Sequence, residues 1–196
     1  MKIIGLTGPT GSGKSTIAKY FSDSGVEIID CDLVAREVTD IGSELLPLLA
    51  DAFGDEILAD DGSLIRKELA KRAFSSKTQT EKLNSIMLPF IANRIKEILD
   101  VFATDGVECV MLDAPTLFES GLDSICDSVL AVLCDEEIRK ERIIERDNLT
   151  EEQAVTRLSA GKPDSFYTEK TRHIVVNDGE MAKFLDDISK VFGELV

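Results

Sequence analysis

Gly8-Pro9-Thr10-Gly11-Ser12-Gly13-Lys14-Ser15 is the stretch whose reading decides the fold. It fits G-x-x-x-x-G-K-[ST] without a mismatch. Glycines let successive main-chain N–H groups turn inward without Cβ clashes and form an anion-holding nest. A helix leaving such a loop adds the partial positive charge of its N-terminus. Lys14 is placed to meet the β- and γ-phosphates, and the Ser15 hydroxyl can ligate Mg²⁺. The alternative, a glycine-rich turn with a chance lysine, fits poorly with what flanks the motif: apolar Lys2–Thr7 before it and a helical pattern, Lys14–Ser24, after it. The motif implies binding of a nucleoside triphosphate.

Working outward, Val26–Asp30, Val107–Asp113, Ser128–Cys134 and His173–Val176 read as further short strands. Their continuous apolar character predicts an α/β fold with a five-stranded parallel sheet covered on both faces. About 75 residues separate the second and third strands, far more than a simple crossover needs. Within them Ser63–Phe74 has the amphipathic helical period, and a longer helix runs from about Gln79 to Phe102 with Pro89 inside it. A second helical block, Glu136–Thr171, contains Thr150-Glu151-Glu152-Gln153, a capping box. Glu180–Leu195 closes the chain as an amphipathic helix. The expected organisation is one domain: a core of residues 1–35, 106–135 and 172–196, a helical insertion at 36–105, and a helical lid at 136–171.

Composition narrows the function. Lys and Arg number 22 against 37 Asp and Glu, a formal net charge of −15, in 196 residues. A chain so acidic repels nucleic-acid backbones at long range, so the expected partners are small anions met by local cations, with no nucleic acid and no membrane. The apolar start Ile3-Ile4-Gly5-Leu6 is too short for a signal peptide's apolar region, and Cys31, Cys109, Cys126 and Cys134 form no C-x-x-C pair. Both point to reduced thiols in a cytoplasmic protein. His173 is the one histidine, too few for a His-rich metal site.

The guanine-reading Asn-Lys-x-Asp is absent, and Asp51-Ala52-Phe53-Gly54 matches Asp-x-x-Gly only inside the helical insertion, so a GTPase is disfavoured. Asp113 ends an apolar strand and is either a metal carboxylate or a structural one. After the second strand come Asp30-Cys31-Asp32 and, one turn on, Arg36. A carboxylate there suits the base role in phosphoryl transfer to a hydroxyl; the alternative is that Asp32 caps a helix and Asp30 bonds to the loop. Arg36 suits a bidentate phosphate contact or a surface ion pair with Glu37 or Asp40. Arg139, Arg142 and Arg146 recur on one helix face, a phosphate clamp that Arg157 could join, or a solvated face balanced by Glu141, Glu145 and Asp147.

Together Gly8–Ser15, Asp30–Arg36, Pro115–Glu119, Arg142–Thr150 and Asn177–Gly179 resemble the dephospho-coenzyme A kinase family, in one order over nearly the whole chain. The resemblance implies a P-loop kinase core with a substrate subdomain and a lid. It implies ATP with Mg²⁺ as donor and the ribose 3′-hydroxyl of dephospho-CoA as acceptor. On that basis Asp32 is the catalytic base beside Lys14. Gly11, Ser12, Gly13, Lys14, Ser15, Thr16, Arg142, Arg146 and Asn177 hold ATP. Asp32, Arg36, Pro115 and Leu117 hold the acceptor, and Ser15 and Asp113 the metal. Leu88-Pro89 stands where the family commonly has His-Pro, and Gly161-Lys162-Pro163 where it commonly has Gln-Met-Pro. Two other readings stay open from the residues: a kinase for another small hydroxyl substrate, and a catalytically silent nucleotide-binding regulator.

Overall fold

The computed structural model describes residues 1–196. In chain order the elements are β1 (Lys2–Thr7), α1 (Lys14–Asp23), β2 (Glu27–Asp30), α2 (Cys31–Glu37), α3 (Leu45–Phe53), α4 (Arg66–Ala73) and α5 (Lys77–Thr104). Then follow β3 (Cys109–Asp113), α6 (Leu117–Ser120), β4 (Ser128–Leu133), α7 (Glu136–Asp147), α8 (Glu151–Ser159), α9 (Asp164–Thr168), β5 (His173–Val176) and α10 (Met181–Leu195). Two compact units emerge: Met1–Ile29 with Gly106–Val196, and Asp30–Asp105. The second unit therefore starts ahead of residue 36 and takes in α2, while residues 136–171 fall in the first.

The first unit is built on a sheet of order β2-β3-β1-β4-β5, the expected five strands. β1 runs parallel to β3 and β4, and β4 parallel to β5. Alternation along the strands sorts their side chains. Ile4, Leu6, Met111, Leu130, Val132 and Val175 face Ile17 and Phe21 of α1 and Phe184 and Ile188 of α10. Ala131, Leu133 and Ile174 face Phe118, Phe166 and Tyr167 on the other side. Phe21 and Phe192 meet edge to face at 5.0 Å between ring centroids, a pairing worth about 0.5–1.5 kcal/mol beyond its burial. Both faces are covered, as the apolar strands require.

The second unit has its own core of Leu45, Leu49, Phe53, Ile57, Leu69, Ala73 and Leu83. Its α5 runs as one element through Pro89. Ser76 caps it by accepting the Gln79 N–H at 3.3 Å, and the helix begins at Lys77, two residues ahead of the predicted start. The Ser63–Phe74 helix begins later than its period suggests, at Arg66. Leu64 instead pairs antiparallel with Leu58, and the Ile65 N–H donates to the Ile57 oxygen at 2.7 Å. Two apolar residues that satisfied the helical period serve a strand-like pairing.

The block 136–171 resolves into three helices. Asp135 caps α7, accepting from Glu137 N–H and Ile138 N–H. The capping box at Thr150 forms as read from the sequence, with the Gln153 side chain returning to the Thr150 N–H at 2.9 Å. No helix is long and apolar enough to cross a membrane. All four cysteines are free thiols.

Candidate active site

The loop between β1 and α1 has the backbone its glycines were expected to permit. Gly8 lies at φ 143° and Gly13 at φ 102°. A Cβ on Gly8 would stand 2.2 Å from the Val132 oxygen, and one on Gly13 would stand 2.2 Å from Asn177 Nδ2. Any side chain there would push the loop off the strand ends. Gly13 is the cap residue of α1 and supplies no side-chain acceptor, and the first turn carries no acid. No capping side chain or acid therefore opposes an anion at the start of α1, whereas α7 has both an aspartate cap and Glu136 and Glu137 in its first turn. Lys14 folds along the loop, its Nζ donating to the Gly8 oxygen at 2.9 Å. Ser12 Oγ is buried without a hydrogen-bond partner.

Ser15 opens α1 and is exposed, and Thr16 beside it is half-buried. Asp113 pairs in register with Leu6, so it ends β3 beside the strand that leads into the loop. Two hard oxygen donors, a hydroxyl and a carboxylate, suit a divalent cation that keeps water and takes its remaining ligands from phosphate. No group of three His, Cys, Asp or Glu side chains offers a metal cage made of protein alone.

Pro115 joins this end of the sheet through its oxygen, which accepts from Thr7 Oγ1 at 3.2 Å. Leu117 is different. Fully buried, it packs against Gly5, where an added Cβ would lie 2.6 Å from Leu117 Cδ2. The expectation of an acceptor contact from this side chain is corrected: Leu117 is core, and its apolar body fills the space a glycine leaves under β1.

The arginine stripe divides. Arg139 is 7% exposed, and its Nε donates to the Cys134 oxygen at 3.0 Å. Arg142 Nη1 reaches the Gly11 oxygen and Cys134 Sγ, each at 3.2 Å, and its Nη2 reaches the Asn177 oxygen and Oδ1, each at 3.3 Å. Arg146, by contrast, forms a two-pronged pair with neighbouring Asp147 at 2.8 Å, and Arg157 joins the same carboxylate at 2.5 Å. So Arg142 is the one of the three that donates to the loop itself, while Arg139 holds the Cys134 oxygen and Arg146 shares the Asp147 carboxylate with Arg157.

Asn177 is 4% exposed, and its Nδ2 donates to the Ser12 oxygen at 2.8 Å. Its side chain is turned onto the loop itself. Cys134 completes the cluster. Burial pushes its thiol above the ordinary range, against the opposing pull of Arg142, so it stays protonated and donates to the Asn177 oxygen at 3.0 Å. Its place in an apolar run signalled burial only; nothing local linked it to Asn177.

In the second unit, Asp30 Oδ1 accepts from the Asp32 and Leu33 N–H groups at 2.9 and 3.1 Å. Asp30 is therefore the cap of α2, and Asp32 stands exposed in its first turn. Arg36, one turn on, is exposed and pairs with neither Glu37 nor Asp40. Glu37 is taken by Arg94 at 3.3 Å. Arg66 Nη2 donates to the Arg36 main-chain oxygen at 3.3 Å, which holds the Arg66 guanidinium against the backbone of α2. Arg72 and Arg94, the unit's other arginines, each hold two glutamates. No local period in the sequence marks Arg66, which stands thirty residues from Arg36.

A glycine-rich loop between the first strand of a 2-3-1-4-5 sheet and its helix, with lysine and serine at the helix start, defines a P-loop kinase fold. The fold is shared with shikimate kinase from Acinetobacter baumannii, at TM-score 0.53 and 14% identity over 99% of this chain and 92% of that one. The chain belongs to the dephospho-CoA kinase family, whose model matches residues 2–183. It is 38% identical to a dephospho-CoA kinase of Corynebacterium glutamicum (98% of this chain, 96% of the relative). It is 34% identical to that of Lactobacillus johnsonii (97% and 98%). Dephospho-CoA kinase from Campylobacter jejuni superposes with a TM-score of 0.72 at 25% identity, covering 99% of this chain and 97% of that one.

Proposed function

We propose that this chain transfers the γ-phosphoryl group of ATP to the ribose 3′-hydroxyl of dephospho-CoA, giving coenzyme A and ADP. The observation that carries the donor half is the loop: left-handed glycines, an open helix start and Lys14 in one nest. Family membership supports the acceptor.

In this reading the loop N–H groups and Lys14 bind the β- and γ-phosphates and offset the charge that gathers as the bond to the leaving ADP oxygen lengthens. Ser15 and Asp113 would hold Mg²⁺, which when bound would supply positive charge to offset the negative charge of the phosphates. Asp32 accepts the proton of the attacking hydroxyl, so that a new O–P bond forms as the old one breaks. Asp30 serves as the cap of α2, its Oδ1 accepting from two N–H donors. Arg36 and Arg66, neither balanced by a carboxylate in an acidic chain, bind acceptor phosphate oxygens. Arg146 joins the phosphates by exchanging the Asp147 carboxylate for another oxyanion. The helices of residues 36–105 serve the acceptor and those of 136–171 act as a lid. Free thiols agree with a cytoplasmic setting.

The test is mass spectrometry of protein, ATP, Mg²⁺ and dephospho-CoA, with Asp32→Asn alongside. A product heavier by one phosphoryl group, lost in the variant, is expected. No product while ATP still binds would retain the donor site and move the acceptor to another hydroxyl compound.

A further inference from the structure

Three carbonyls of the phosphate loop are each held from outside the nest: Gly8 by Lys14 Nζ, Gly11 by Arg142 Nη1 and Ser12 by Asn177 Nδ2. The last has a consequence for the anion. A trans peptide is planar, with its C=O and N–H pointing opposite ways. Fixing the Ser12 oxygen on Asn177 therefore directs the Gly13 N–H away from Asn177. The Gly13 N–H makes no main-chain hydrogen bond.

Asn177 is itself held at every polar group. Its N–H donates to the Leu133 oxygen at 2.9 Å. Its carbonyl accepts from Cys134 Sγ and Arg142, and its Oδ1 accepts from Arg142 as well. With the amide nitrogen toward a carbonyl and the amide oxygen toward a guanidinium, only one orientation of the carboxamide satisfies both neighbours. Its place is also sterically specified, since it occupies the space that any Cβ on Gly13 would need.

We propose that Asn177 is a positioning residue for the donor phosphates: with Arg142 it orients the Ser12–Gly13 peptide, and it makes no contact with the nucleotide. This replaces the direct ATP contact expected from the sequence. It rests on the donor half of the proposed function alone, since binding of the donor is measured without any acceptor.

The test is calorimetric binding of MgATP and of magnesium tripolyphosphate to wild type and Asn177→Asp, which keeps the partner of Arg142 and loses the donor to Ser12. Both ligands should weaken by the same factor, at least about fivefold, as loss of one buried hydrogen bond predicts. The affinity for dephospho-CoA should stay within about twofold, a ratio that general loosening of the fold would not preserve. Weakening of MgATP alone would reveal a base or ribose contact and overturn the proposal, as would no change in either. Arg142→Lys, at a half-buried position, carries the same test if the aspartate variant does not fold. It frees Oδ1 of the carboxamide and should also weaken the two ligands equally.

Discussion

Asp30 Oδ1 accepts the main-chain N–H of Asp32 at 2.9 Å. That one bond separates two carboxylates that sequence spacing leaves equivalent. Asp30 has its charge engaged at a helix start, while Asp32 is carried on the outer face of the first turn of α2.

Serine is a good helix cap but no base at neutral pH, so the two positions should answer differently to the same change. Asp30→Ser should keep kcat within about threefold, because the cap survives. Asp32→Ser should lower kcat by about 10²- to 10⁴-fold with the KM for ATP little changed. Steady-state kinetics of both variants decide it. Equal losses would assign the segment a structural role.

Gly13 and Gly25 both have positive φ, 102° and 90°, but only Gly13 has a neighbour in the way of a Cβ. Gly25→Ala should cost about 1–2 kcal/mol of stability from backbone strain and leave MgATP binding intact. Gly13→Ala adds displacement of Asn177, and should weaken MgATP by at least about tenfold, or 1.4 kcal/mol. Thermal unfolding with calorimetry on the pair separates strain from the clash.

Arg66 has no carboxylate partner, unlike Arg72 and Arg94. If it binds the acceptor's phosphates, Arg66→Ala should raise the KM for dephospho-CoA roughly 10- to 100-fold, the scale of a charged hydrogen bond. The KM for ATP should stay put. Arg66→Lys should recover only part, since an ammonium lacks the planar fork. An unchanged KM for dephospho-CoA in Arg66→Ala would remove Arg66 from the site.

Asp147 ties Arg146 of α7 to Arg157 of α8. The hydrogen bond from Arg146, then the charges of both arginines, hold its carboxyl below the ordinary value of 3.8. A depressed carboxyl stabilises the fold above its unfolded pKa, and that contribution is lost as pH falls through the lower folded value. Wild type should therefore melt above Asp147→Asn at pH 6, and the gap should close as pH drops below 3.8. A gap that persists in acid would show that the asparagine acts through packing.

The strands and the loop were legible because their causes are local. An apolar β-branched run, a glycine-rich turn and a helix start follow one another within Lys2–Asp23, and each constrains its own backbone. The capping box at Thr150 is equally local, spanning three residues. The start of α4 is not legible in the same way, because Leu64 and Ile65 fit a helical period as well as the pairing they make with Leu58 and Ile57. Hydrophobic period reports that a residue is buried, and here it did not report against what.

By itself, then, the sequence determined the class of fold, the phosphate loop and the family, since these rest on contiguous residues and on φ angles that only glycine adopts easily. Tertiary structure alone decided the rest. It buried Leu117 under Gly5, drew Arg142 to Gly11 across 131 residues while leaving Arg146 to Asp147, and turned Asn177 onto Ser12 across 165. Arg139, Arg142 and Arg146 share one helix face, and helical spacing treats them alike. Which of them meets a carbonyl depends on what chain closure brings to that face, and no local interaction encodes it.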